Sequence, residues 1–104
     1  MAIEIDRIYL SRELRKARNL KVVDNNTDVI VTTKSGNTFI APFFAYDSIP
    51  RICKENEQSG NFLNGQYFWV KNIVLIKDCT LEIIELVIND LLEEGSFKDV
   101  FVEL

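Results

Sequence analysis

The clearest hydrophobic pattern in the chain lies between Thr80 and Gly95, where apolar residues recur at helical spacing. At about 100° per residue these residues fall on one side of a helix, opposite most of the polar ones. Thr80 is a good N-cap, Glu82 places negative charge in the first turn, and Gly95 stands where a C-terminal glycine belongs. The pattern predicts a long amphipathic helix with a core stripe of Leu81, Ile84, Val87, Ile88, Leu91 and Leu92.

The stretch before the middle of the chain has the composition of β-strands. Three segments rich in β-branched and aromatic residues follow one another, and turn-forming residues separate them at 24–28 and 35–37. These segments, LKVVD, VIVTTK and TFIAPFF, predict a three-strand antiparallel meander. Because Pro42 cannot donate to a β-ladder, the third strand should be at an edge or bulged at that residue.

The remaining segments complete the predicted fold. QYFWV and NIVLI indicate one long bent strand or two short ones, which would extend an antiparallel sheet to four or more strands. FKDVFVEL indicates a final strand or an extended segment that lies back on the body of the protein.

Two more helices are predicted. Ile3 and Ile5 alternate as in a strand, but later apolar residues come at helix-like intervals, and we interpret 6–18 as an N-terminal helix. Asp47 or Ser48 can cap a short middle helix that ends at Gly60. The predicted fold class is therefore α+β: an antiparallel sheet with an N-terminal helix, a short middle helix and the long amphipathic C-terminal helix packed on it, in a single domain over 1–104.

The amino-acid composition excludes several common kinds of catalytic and metal-binding site. The 104 residues include no histidine, so imidazole catalysis and imidazole metal ligands are excluded. Cys53 and Cys79 are too few for a disulfide scaffold, and isolated cysteines in such domains are more often small buried hydrophobes than reactive thiols. No spacing of carboxylates or glycines matches a calcium loop or a phosphate-binding loop. We expect no enzyme activity, no metal and no cofactor.

The hydropathy and the charge of the sequence lead to expectations about localisation and about nucleic-acid binding. No run of about 18 apolar residues could span a bilayer, and the start MAIEIDR lacks the pattern of a signal peptide, so we expect a cytoplasmic protein without membrane contact. Basic residues between 7 and 21 could contact nucleic acid, but carboxylates interrupt them and the pI is about 4.8. We expect no nucleic-acid partner and interpret these cations as a solvated face.

Two aromatic groups, Phe43–Tyr46 and Tyr67–Trp69, have two interpretations. The favoured one is a core with aromatic cover at its edge. Exposed aromatic anchors for a protein partner are the alternative, since Trp and Tyr are common hot-spot residues.

Charge is distributed unevenly along the chain, whose net charge is −4. Between residues 78 and 104 one lysine stands against eight carboxylates, a balance of −7. The polar side of the last helix also includes Ile83 and Leu86, and apolar residues among acidic ones are typical of a docking surface for a basic protein. The alternative is that Ile83 and Leu86 pack beneath the C-terminal tail. The predicted contact residues are Glu82, Glu85, Leu86, Asn89, Asp90, Glu93 and Glu94.

The segments FFAYDSI, GQYFWVKNIVLI and IIELVINDLLEEGSFKDVFVEL, in a small acidic α+β chain, resemble the immunity proteins encoded beside bacterial polymorphic toxins, including those of contact-dependent growth inhibition. The resemblance covers most of the chain and concerns its size, its charge and its general residue pattern. It implies a non-enzymatic cytosolic protein that binds one cognate toxin, often a nuclease with a basic groove, and masks its active site.

Two other functions remain open at this point. The chain could be a small regulatory or ligand-sensing module with a pocket between the sheet and the Phe43–Tyr46 region. The third hypothesis is an enzyme, which would need a cleft holding two carboxylates shielded from solvent.

Overall fold

A five-stranded sheet organises the computed structural model, which describes residues 3–13 and 26–104. The strands are β1 (Ile5–Leu10), β2 (Asn26–Thr33), β3 (Thr38–Ala45), β4 (Val74–Ile76) and β5 (Val102–Glu103). The strand order is β1-β2-β3-β4, and β5 also pairs with β3. The α+β class and the sheet of at least four strands are confirmed, but the pairing of β3 with β4 is parallel, not antiparallel as predicted.

β2 and β3 form the centre of the sheet with strict alternation of buried and more exposed residues. Val31 pairs with Phe39 and Val29 with Ala41, and all four side chains are buried on the same face. Gly36, at a φ of 90°, lies in the turn that joins the two strands, as predicted. The predicted turn at 24–28 is wrong for residues 26–28, which belong to β2, and LKVVD lies outside the described residues.

The predicted N-terminal helix over 6–18 is wrong for residues 6–10, which form most of β1. β1 contains a β-bulge: Ile5 pairs with Thr33 and Arg7 with Thr32, so a step of two residues in β1 matches a step of one in β2. The bulge lets Ile5 and Ile8 both pack against the core. The helix-like intervals behind the prediction run from Ile8 through Leu10 and Leu14 to Ala17, of which Ile8 and Leu10 belong to β1 and the other two lie outside the described residues. Residues 11–13 are helical, and residues 14–18 lie outside the described part.

A long crossover explains the parallel pairing of β4. The chain leaves β3, passes through a 3-10 turn at Tyr46–Ser48 and helix α1 (Ile49–Ser59), and returns to pair Val74 with Phe43. Parallel neighbours need a connection of a dozen or more residues, which the crossover provides. The predicted strand QYFWV is wrong because residues 67–70 form part of this crossover without regular structure.

The ends of α1 lie at the residues that the sequence predicts. Ser48 is its N-cap residue, although the Ser48 hydroxyl donates to the carbonyl of Ala45 at 2.7 Å and caps no helical N–H. Gly60 ends the helix at a φ of 84°, and its N–H donates to the carbonyl of Asn56.

Helix α2 (Leu81–Glu94), the short helix α3 (Phe97–Val100) and β5 complete one side of the protein. The tail was predicted as a strand or extended segment, but its first four residues are helical because Phe97 turns inward. Phe97 stacks on Phe101 with ring centroids 4.6 Å apart, and these rings contact Phe39 and Phe43 at 5.2 and 5.9 Å. The main core thus lies between the sheet and α2 with α3.

The opposite face of the sheet meets the crossover. Phe44 and Leu75 pair across β3 and β4 and point to this outer face, and Phe68 packs on Phe44 with ring centroids 5.8 Å apart. On the outer edge of β3, Pro42 lies between the residues paired with β5 and those paired with β4. β3 as a whole is central, with β2 on one side and β4 and β5 on the other, so the prediction of an edge strand is wrong for β3 and holds only locally, at Pro42.

Within residues 3–13 and 26–104, no helix has the length and apolar character that crossing a bilayer requires.

Candidate docking surface

Helix α2 is fixed at both ends. The Thr80 hydroxyl oxygen accepts from the backbone N–H of Ile83 at 3.3 Å, as predicted for an N-cap. Gly95 adopts a φ of 80°, and the N–H of Ser96 donates to the carbonyl of Leu91 at 2.9 Å, which satisfies an otherwise unpaired helix carbonyl. The 14 residues between the caps span about 21 Å, so the helix presents a long, defined outer side.

Packing of α2 on the sheet determines which side chains point outward. Ile84 and Ile88 are buried, while Val87, Leu91 and Leu92 are partly buried against the core, so this part of the predicted stripe is confirmed. Leu81 is the exception at 43% exposed, because it is the first helical residue.

The outer side of α2 carries every residue predicted from the sequence to contact a partner. All seven side chains are exposed. We call this set the acidic face: Glu82, Glu85, Leu86, Asn89, Asp90, Glu93 and Glu94. Leu86 is 62% exposed at the middle of the acidic face, whereas Ile83 is partly buried against the core, so only Leu86 is available to a docking partner.

No cation neutralises the acidic face within the described residues. The ion pairs found there lie elsewhere: Arg12 with Glu13, Lys34 with Glu4, and Arg51 with Glu55. The last turn of α2 has no basic residue, although a helix C-terminus favours positive charge.

Like charges also stand next to each other along the helix. Asp90 precedes Glu94 by four residues and Glu93 by three, and both spacings bring side chains together on a helix surface. Each such repulsion costs roughly 0.2–0.5 kcal/mol. The carboxylates in the last two turns therefore lower the stability of the helix that carries them.

Neither thiol has the environment of a nucleophile. Burial raises the pKa of Cys79 more than the nearby Arg12 lowers it, and Cys79 lies just before the N-cap of α2. Desolvation and the carboxylate of Glu57 raise the pKa of Cys53. A reactive thiol needs a lowered pKa, so both environments favour the structural interpretation of the cysteines.

The carboxylates of the described part are accessible to solvent. Every Asp and Glu in residues 3–13 and 26–104 is exposed, so that part contains no pair shielded from solvent. The same residues contain no group of three or more His, Cys, Asp or Glu side chains arranged to hold a metal ion.

The aromatic groups divide between core and surface. Phe43 is buried and Phe44 and Phe68 are half-buried, which fits the favoured interpretation. Tyr67 and Trp69 are 51% and 64% exposed, which fits the alternative of surface aromatics.

Sequence reasoning missed an open cavity beside these exposed rings. We call it the aromatic groove; it has a volume of about 380 Å³ and is lined by Ile49, Cys53, Gly65, residues 67–70, Ile73 and Leu75. The ligand-sensing hypothesis placed a pocket near Phe43–Tyr46, whereas the groove lies further along the crossover. The only sequence signal was the density of aromatic residues near GNFLNG.

The turn that precedes the groove has an unusual backbone. Phe62, Leu63 and Asn64 have φ values of 53°, 53° and 57°, so Asn61–Gly65 contains a left-handed turn. Such a conformation costs roughly 1–2 kcal/mol per non-glycine residue. The contacts of Phe62 with Phe68 and Tyr67, at 5.3 and 5.4 Å between ring centroids, help to hold it.

No family model, no curated protein and no solved structure matches this chain.

Proposed function

We propose that this protein is a cytoplasmic, non-enzymatic binding protein of the immunity type, which neutralises a basic toxin by covering its active site with the acidic face of α2. The observation that carries the proposal is the placement of Leu86, 62% exposed, among five exposed carboxylates with no cationic partner in the described residues. An apolar residue ringed by charge is typical of a hot spot that is closed from water on binding.

The electrostatics of α2 support a cationic partner. Repulsion between Asp90, Glu93 and Glu94, together with the unfavourable charge at the helix C-terminus, weakens the free protein. Lysines and arginines of a partner would relieve both effects on binding. The field of the carboxylates would also accelerate encounter with a basic protein.

The mechanism follows from the chemistry of a nuclease groove. Such a groove uses Lys and Arg to hold substrate phosphates. Carboxylates of the acidic face would occupy these cations, while Leu86 would exclude water at the centre of the contact. The protein would then inhibit the toxin by occupying its active site, without catalysing any reaction.

The test uses the toxin candidate encoded by the adjacent gene, with binding measured by pull-down and calorimetry. The triple variant Glu85→Lys, Asp90→Lys, Glu93→Lys should weaken binding by about 100-fold or more, mainly through slower association. The control is Asp6→Lys, Asp28→Lys, Asp99→Lys, which changes net charge equally at exposed carboxylates outside the acidic face and should bind as the wild type does. None of these three belongs to an ion pair within the described residues.

Two results would contradict the proposal. One is the absence of a complex with the adjacent gene product. The other is equal weakening by both triple variants, since that would show a response to net charge and not to the acidic face. In addition, added salt should slow association far more than it speeds dissociation.

A further inference from the structure

The aromatic groove lies on the outer face of the sheet, opposite the helix that carries the acidic face. Leu75 of β4 points to that outer face, is 42% exposed and forms one wall. Three consecutive aromatic residues also line the groove: Tyr67, Phe68 and Trp69. The groove therefore belongs to a different part of the molecule from the proposed docking surface, and its use is independent of that proposal.

One stripe of helix α1 forms another wall of the groove. Ile49 and Cys53 both line it, and residues four apart lie on the same side of a helix. Glu57 is the next residue at this spacing, one turn beyond Cys53. Glu57 therefore continues this wall at one end of the groove.

Two contacts of Glu57 with lining residues place its charge there. Its carboxylate accepts from the Cys53 thiol at 3.6 Å. Its side chain also lies against Gly65, since a Cβ added to that glycine would lie 2.7 Å from Cγ of Glu57. The carboxylate is exposed and belongs to no ion pair within residues 3–13 and 26–104.

The cations of neighbouring residues lie elsewhere. Arg51 pairs with Glu55 at 2.9 Å on another side of α1. Lys54 points about 100° away from Cys53 around the helix axis. Neither these cations nor Lys71 of the crossover line the groove, and among the described residues none that lines it is charged.

The thiol of Cys53 shows the effect of the charge at this wall. Desolvation raises the pKa of Cys53, and the negative charge of Glu57 raises it further. Glu57 therefore disfavours a negative charge in the groove wall, and by the same interaction it favours a positive one.

The aromatic rings favour the same sign of charge. The electron-rich face of Trp or Tyr attracts an ammonium group within about 6 Å, and Tyr67 and Trp69 are each more than half exposed. A concave site of roughly 300–1,000 Å³ with mostly apolar walls is typical of small-molecule binding. The volume of the groove, about 380 Å³, lies within that range. The groove thus fits a small molecule that combines apolar groups with a positive charge.

We propose that the aromatic groove binds a small organic ammonium ion, with its alkyl groups against the aromatic and aliphatic lining and its positive charge toward Glu57. The ligand binds as an intact molecule, without a covalent step.

Trp69 makes the test direct, because it is the only tryptophan in the sequence and it lines the groove. Its emission would be followed during titration with choline, neohexanol and the anion of tert-butylacetic acid. These probes share a head group of nearly the same shape and carry a positive, no and a negative charge. Choline should give a saturable change in emission and bind about tenfold more tightly than neohexanol, with the anion weakest.

The first pair of variants tests the charge. Glu57→Gln keeps the shape of the side chain and should reduce the preference for choline over neohexanol from about tenfold to about twofold, since an exposed carboxylate contributes up to about 1 kcal/mol, or fivefold. Asp6→Asn removes one charge from an exposed carboxylate of β1 that belongs to no ion pair within the described residues, and it should keep the full preference.

The second pair locates the site. Leu75→Lys should abolish the choline response, because it places a cation in the wall of the groove. Leu104→Lys, the same change at the exposed C-terminal residue, should leave the response unchanged. Far-UV circular dichroism confirms that each variant is folded.

Four results would overturn the proposal. These are the absence of a saturable change in emission, binding of neohexanol or the anion as tight as that of choline, an unchanged choline response in folded Glu57→Gln or Leu75→Lys, and a dimer that covers the groove. The last would appear as emission that depends on protein concentration, with sedimentation showing a dimer that Leu75→Lys dissociates. None of these results bears on binding of a toxin by the acidic face.

Discussion

A position can require glycine for two different reasons, and a comparison of Gly65 with Gly95 shows both. Both residues have a φ of 80°, so both carry the ordinary left-handed preference for glycine. A Cβ at Gly65 would meet α1 at 2.7 and 2.9 Å, whereas a Cβ at Gly95 would have no atom within 4 Å. The sequence predicts a helix end at Gly95, but it contains no signal for the close approach at Gly65.

Gly65→Ala should therefore lower the free energy of unfolding by about 2–4 kcal/mol, since dihedral strain and a clash with backbone add. Gly95→Ala should cost only about 1 kcal/mol, since it adds strain without a clash. Urea unfolding of both variants gives the comparison. Equal losses would show that the turn moves away from α1 without cost.

The local residue pattern is enough to predict helix α2, but it is not enough to predict strand β1. For α2 the stripe and both caps agree, and the structure confirms them apart from the exposure of Leu81. For β1 the apolar residues Ile8 and Leu10 fit either the start of a helix or a strand, and only pairing with β2 selects between them. The parallel β4 likewise depends on a crossover path that local sequence does not specify.

The charges of α2 lead to a prediction about the element itself. Glu94→Lys should raise the free energy of unfolding by about 0.5–1 kcal/mol, because it places a cation at the helix C-terminus and removes repulsion with Asp90. The same variant should weaken toxin binding, which would be a trade of function for stability.

Glu82→Lys is the control for that prediction, because the first turn of a helix favours negative charge. This variant should be less stable than Glu94→Lys, because a cation at the helix N-terminus offsets the relief of repulsion with Glu85 three residues later. Added salt should reduce both effects, and thermal unfolding at low and high salt measures them. Equal stabilisation by both substitutions would mean that net charge, and not position on the helix, dominates.

At the scale of the molecule, one sheet separates the main core from the crossover layer. Phe43 packs with Phe101 on the α2 side, and the next residue, Phe44, packs with Phe68 on the other. The acidic face could be predicted from sequence because a single helix contains all of it. The aromatic groove could not, since its walls come from α1, a left-handed turn and β4.

The burial of Cys79 predicts how the free energy of unfolding changes at alkaline pH. Its pKa is higher in the folded chain than the ordinary value of about 8.5, so its contribution to stability is complete below about pH 8.5 and is lost as the pH rises through the folded-state pKa. Unfolding free energies measured in urea under reducing conditions should therefore fall as the pH rises above about 8.5.

Cys79→Ala should flatten that decline, whereas Cys53→Ala should change it less, because Cys53 is only half-buried. An unchanged slope in Cys79→Ala would assign the decline to other groups.

The outer edge of β3 has a consequence for solubility at high concentration. Long unpaired edges promote edge-to-edge aggregation of β-rich proteins. Here two strands of three and two residues cover that edge, and Pro42 between them offers no N–H to an incoming strand. Replacing Pro42 by a β-branched residue would remove this interruption and provide a longer template on which a neighbouring molecule could assemble.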